Sequence, residues 1–200
     1  MRKPTIATLM SVLCLLSACS PRDYLTRRLA ADLIESSDAF KATQRFWLRT
    51  GPISNKDYVS PQYLVLQRHG WINASNTACP PQITPPPCWD VVLTPLGVET
   101  FRNLMQSSAA TSSYFSVPAA RRQLVSVNGI SKDESMAEVD FVWKWSPMND
   151  VGMAFYGDGV EYTSTVGFRK YDDGWRIMES TQPKRYPSMD EALKDAASSQ

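Results

Sequence analysis

The sequence predicts an α+β fold in which a helical first half is followed by an antiparallel sheet. Apolar residues recur at helical spacing from Leu25 to Phe101, and beyond Ser116 the period falls to two. Hairpin signals, above all Asp173-Gly174, punctuate the second half. The chain has 200 residues, enough for one ordinary domain or two small ones. Hydrophobic residues at 43% and charged residues at 20% give a globular balance. The formal net charge is +1, from 21 basic and 20 acidic residues, so bulk charge does not direct the chain to nucleic acid. A single histidine, His69, leaves little room for imidazole catalysis or a histidine-based metal site.

The first element is a targeting segment. Arg2 and Lys3 precede an uncharged run from Ile6 to Leu16. That run is shorter than the roughly 20 residues a spanning helix needs, and it has the form of a secretory signal. Leu16-Ser17-Ala18-Cys19 then resembles the lipobox of bacterial lipoproteins. The resemblance implies a signal peptide over 1–18, removed before Cys19, and acyl chains such as palmitate attached to Cys19. Two or three chains give stable attachment, where one is marginal. By the same resemblance, Ser20, where an aspartate would be the retention signal, favours the outer membrane of a Gram-negative cell, with the protein facing the periplasm. About five residues separate Cys19 from the first helix, a tether of roughly 17 Å, so the protein lies close to the membrane. Without Arg2 and Lys3, 19 basic residues face 20 acidic ones, a formal charge of −1.

Once Cys14 leaves with the signal and Cys19 carries lipid, Cys79 and Cys88 remain. They bracket a loop containing Pro80, Pro81, Pro85, Pro86 and Pro87. In an oxidising compartment this pair is expected to form a disulfide. A metal pair lacks further ligands, and the spacing is not that of a C-x-x-C redox motif.

The helical part is expected over 19–108. Leu25, Leu29, Leu33 and Ile34 mark a first helix. Ser36-Ser37-Asp38 offers a cap for a second, carrying Phe40, Phe46 and Trp47 towards Gly51-Pro52. Ser60-Pro61 opens a helix through Tyr63, Leu64 and Leu66 to Arg68, and Gly70 ends it. Trp71-Ile72 begins a strand, Trp89 to Leu93 returns, and Thr94-Pro95 starts a helix through Val98, Phe101, Leu104 and Met105. The order of these elements, carried by Leu64, Leu66, Gly70, Trp71, Ile72, Val91, Leu93, Thr94, Pro95 and Gly97, resembles the winged-helix domain of bacterial transcription regulators. The resemblance implies a shape. DNA recognition needs basic and amide side chains aimed at bases and phosphates, and the corresponding helix offers only Gln62, Gln67, Arg68 and His69. No nucleic-acid partner is expected.

Gln106 to Ser116 reads as a linker. The sheet part is expected over 117–180. Arg121 to Ile130 forms a strand, and Ser131 to Ser135 a polar turn. Val139, Phe141, Trp143 and Trp145 then alternate with Glu138, Asp140 and Lys144, giving a strand with one buried and one wet face. Ser146 to Gly159 reads as a loop. Val160 to Tyr171 forms the next strand, with Val160, Tyr162, Val166 and Phe168 on one side, and Trp175 to Met178 returns after Asp173-Gly174. The meander is similar to the sheet of cystatin-like or nuclear-transport-factor-like domains. Over 181–200, Ser188 and Glu191 form a capping box for a short final helix.

Chemistry leaves few marks. There is no Gly-rich phosphate loop, G-x-S-x-G elbow, H-E-x-x-H helix or calcium-loop spacing, so no cofactor, metal or catalytic residue is expected. The candidate binding residues are Trp143, Trp145 and Tyr162, with the carboxylates Asp158 and Glu161. These aromatics form either the core of a small sheet or the wall of a ligand groove. The first reading makes the chain a non-catalytic binding or assembly module with an unknown envelope protein as partner. The alternative is a periplasmic domain that binds or weakly hydrolyses a small ligand through its loop carboxylates. An open cavity lined by Trp145, Tyr162 and an acid would favour the alternative, and a filled aromatic face the first reading.

Overall fold

A computed structural model describes residues 24–104, 106–107, 114–156 and 159–178. The expected signal peptide, Cys19, Asp158 and the final helix lie outside the described residues. Within them the fold is α+β, with helices packed on mostly antiparallel sheet.

Helix α1 (Arg27–Ser36) begins where Thr26 Oγ1 accepts the Leu29 N–H at 3.1 Å. Its spacing buries Ala30 and Ile34, with Leu29 and Leu33 packed beside them. A single turn, α2 (Asp38–Lys41), buries Phe40. The helix expected to run from there through Phe46 and Trp47 is instead a strand, β1 (Thr43–Arg49). Phe46 and Leu48 are buried while Trp47 between them is 59% exposed. Residues two apart share a face only in a strand, so this alternation selects extended backbone.

Strand β2 (Gly51–Ser54), helices α3 (Asn55–Tyr58) and α4 (Pro61–Arg68), strands β3 (Ile72–Thr77) and β4 (Cys88–Leu93) and helix α5 (Pro95–Phe101) follow. The strands make a three-stranded antiparallel sheet in the order β2-β4-β3. Gly70, at φ +68°, closes α4: its N–H donates to Gln67 O and the next N–H, of Trp71, to Leu66 O. Gly97 lets α5 lie on the backbone of Trp71, where a Cβ would stand 1.9 Å from the carbonyl oxygen. The expected extension of α5 to Leu104 and Met105 is absent at Leu104, and residue 105 is not described.

The second half holds β5 (Gln106–Ser107), β6 (Tyr114–Asp133), β7 (Met136–Pro147), α6 (Asp150–Tyr156), β8 (Glu161–Tyr171) and β9 (Gly174–Ile177). The larger sheet runs β1-β6-β7-β8-β9, with β5 also on β6 and every pairing antiparallel. β1, from the expected helical part, thus completes the later sheet. The expected linker contains β5 and the start of β6. The expected loop over Ser146 to Gly159 contains α6. There Asn149 caps the helix by accepting the Gly152 N–H at 2.9 Å, while its amide donates to Pro118 O at 2.7 Å. A Cβ on Gly152 would stand 2.0 Å from Ala119 O, so glycine permits the helix to touch the sheet backbone. Val160 lies outside β8 and is exposed.

The aromatic strand behaves as the alternation requires: Val139, Phe141, Trp143 and Trp145 are buried and Glu138 and Asp140 exposed. Phe40 covers Phe141 at 5.9 Å, and Tyr156 of α6 covers Trp145 at 5.2 Å. Phe46 joins the two sheets by contacting Phe101 at 6.4 Å and Phe155 at 4.8 Å. The Tyr63 hydroxyl of α4 pins them further, accepting from Arg49 N–H at 2.9 Å and donating to Arg49 O at 2.8 Å. Burial pushes this phenol above its ordinary pKa, against the lowering effect of the Arg49 hydrogen bond.

β1 stops at Thr43, opposite Arg121, although β6 continues to Asp133. Two register shifts break β6 between Leu124 and Ser126 and between Val127 and Gly129. The Arg27 guanidinium donates to Asn128 O at 3.0 Å. These features blunt the long edge. On the edge away from β7, they also leave Arg122 to Leu124 beside the α1–α2 corner.

Candidate functional site

The residues proposed for a ligand wall do not make one. Trp143 has no exposed surface and Trp145 is 3% exposed. The Trp143 indole donates from Nε1 to Ser164 Oγ at 3.0 Å, and its ring stacks on half-buried Tyr162 at 4.9 Å. Trp145 meets Trp143 edge-on at 5.3 Å. Glu161 opens β8 opposite Lys144, and Tyr162 opposes Trp143. Consecutive strand residues face opposite sides, so Glu161 and the aromatic wall are on different faces of the sheet. Asp158 lies outside the described residues.

Cys79 and Cys88 are joined, with Cα atoms 5.1 Å apart. Because Thr77 pairs with Cys88, the bridge closes the mouth of the β3–β4 loop. His69 is exposed and stacks on Trp71 at 4.7 Å.

Side chains converge at the α1–α2 corner instead. A cavity of about 460 Å³ opens there between that corner and the β6–β7 pair, lined by Glu35, Phe40, Lys41, Arg121, Arg122, Gln123, Leu124 and Ser146. Phe40 is buried and Arg122, Leu124 and Ser146 are half-buried, whereas Glu35, Lys41, Arg121 and Gln123 are exposed. Arg122 is the most constrained of the polar groups. Its guanidinium lies over the rings of Trp145 at 5.0 Å and Trp143 at 5.5 Å, and it donates to Ala39 O in α2. The local charges are three cations and one carboxylate.

Sequence reasoning passed over this cluster because Arg121-Arg122 reads as an ordinary strand start. The pairing of Arg122 with Trp145 follows from the two register shifts in β6, which the sequence does not announce. An arginine aligned with an aromatic face is held there by the rings, with its stem in the core and its head at the margin. What the sequence does not contain is the packing of α2 against β6, which turns that margin into a concavity.

No protein-family model, curated protein or solved structure matches the chain. Among the described residues, no helix is long and apolar enough to cross a membrane, and no three His, Cys, Asp or Glu side chains gather as a metal site.

Proposed function

We propose that the chain is a lipid-anchored protein of a bacterial envelope, held through Cys19 and facing the periplasm from the outer membrane. It acts there as a non-catalytic binding or assembly module. The observation that carries the anchor is the lipobox-like Leu16-Ser17-Ala18-Cys19. The filled aromatic face, with Trp143 and Trp145 packed under Phe40 and Tyr156, supports a non-catalytic module over a ligand groove walled by these rings. The Cys79–Cys88 bridge supports an oxidising compartment. The carboxylate-based alternative loses support because Glu161 points away from Tyr162 and the tryptophans.

In this reading, the winged-helix-like part expected over 19–108 narrows to 51–101, because β1 pairs with β6, and its wing is the disulfide-closed proline loop. The strand order β2-β4-β3, with α3 and α4 between β2 and β3, supports that assignment. The unit leaves Val59, Leu64, Val92, Leu96 and Val98 exposed. These apolar side chains offer nothing to phosphates.

Growth with labelled palmitate tests the anchor. Label should enter the wild type and be absent from Cys19→Ser. Equal labelling of the two proteins would remove the lipid from the proposal.

A further inference from the structure

We propose that the cavity at the α1–α2 corner binds a small monoanion, a carboxylate carried on a short apolar body. The inference goes beyond the anchored-module reading and does not depend on where the protein resides.

Charge and shape argue together. Lys41, Arg121 and Arg122 face a single carboxylate, Glu35, so the cavity attracts an anion. Arg122 provides a guanidinium already fixed by Ala39 O and the two indole rings, so little freedom is lost when it meets a ligand. It also sits on aromatic floor, where an ionic hydrogen bond is screened less than at the rim. Phe40 and Leu124 supply apolar surface beside it, which a bare inorganic anion would leave unused. Glu35 at the rim opposes a second negative charge on the ligand. Ser146 and Gln123 add neutral polar groups able to orient a carboxylate. The cavity, about 460 Å³ and open to solvent on one side, has room for a small molecule.

The test uses isovalerate as probe, isovaleramide as its neutral counterpart and inorganic phosphate as the bare anion, each titrated into the purified protein and followed by NMR. Isovalerate should shift the Arg122 Nε–Hε signal and the Ser146 amide, and isovaleramide should bind at least about tenfold more weakly, as expected for loss of a charge-assisted hydrogen bond. Phosphate should bind more weakly than isovalerate. Lys41→Gln and Arg121→Gln should each weaken isovalerate roughly three- to tenfold without lowering the melting temperature, because both side chains are exposed. Glu35→Gln should tighten it, a result that a merely structural role for the cluster would not give. The proposal is overturned if isovalerate and isovaleramide bind alike, if phosphate binds as well as isovalerate, or if isovalerate leaves both reporter signals unmoved.

Discussion

Trp143→Ala is expected to reduce the unfolding free energy by about 3–5 kcal/mol, a large part of the stability of a small domain. The side chain has no exposed surface, so truncation removes its whole apolar contribution and leaves a cavity that the sheet backbone cannot collapse to fill. Its neighbours hold it from several directions. Phe40 contacts it edge-on, Tyr162 stacks on it, Trp145 abuts it and Arg122 lies over its ring. The truncation also leaves Ser164 without its indole donor. Chemical denaturation followed by circular dichroism measures the loss. Glu161→Gln, at an exposed position, should melt within about 0.5 kcal/mol of the wild type. A Trp143→Ala protein that melts like the wild type would mean that the ring is not core.

Removing the disulfide should have the next largest effect. Cys79 and Cys88 are separated by 9 positions, and the chain-entropy relation for so short a loop gives about 3 kcal/mol. The bridge joins a proline loop to the first residue of β4, the central strand of the smaller sheet, so its loss frees the end where Thr77 meets Cys88. Cys79→Ala/Cys88→Ala should therefore shift the denaturation midpoint downwards, and wild type treated with dithiothreitol should match it. Identical midpoints for bridged and unbridged protein would contradict the effect.

How legible each part was in the sequence depends on how local its cause is. Pro61 and Thr94 mark helix starts by chemistry within one turn, and Gly70 and Asp173-Gly174 mark turns in the same way, whereas the Thr26 cap of α1 emerges only in the structure. The aromatic face of β7 was legible because its two-residue period is undisturbed for nine residues, from Ala137 to Trp145. β1 was misread because its buried pair, Phe46 and Leu48, is defined by a partner strand about 70 residues later. α6 was hidden for another reason. Asn149 and Gly152 look like loop residues, yet one serves as cap and the other as contact point with the carbonyl of Ala119. The cavity was the least legible part, since Glu35, Lys41 and Arg121 to Leu124 meet only through tertiary packing. Of the candidate ligand residues, Trp143 and Trp145 belong to the core, while the carboxylate Glu161 shares no face with them.

The claim on which the non-catalytic reading rests is that the aromatic face is closed, and hydrogen exchange at a single group tests it most directly. The Trp143 Nε1–H lies inside that face and donates to Ser164 Oγ at 3.0 Å. In a packed core this proton exchanges only when the domain unfolds, so its NMR signal in deuterated buffer should persist as long as those of the slowest backbone amides of β7. Loss of the signal within the first minutes, while those amides remain protected, would show a groove open to water and would contradict the packed face.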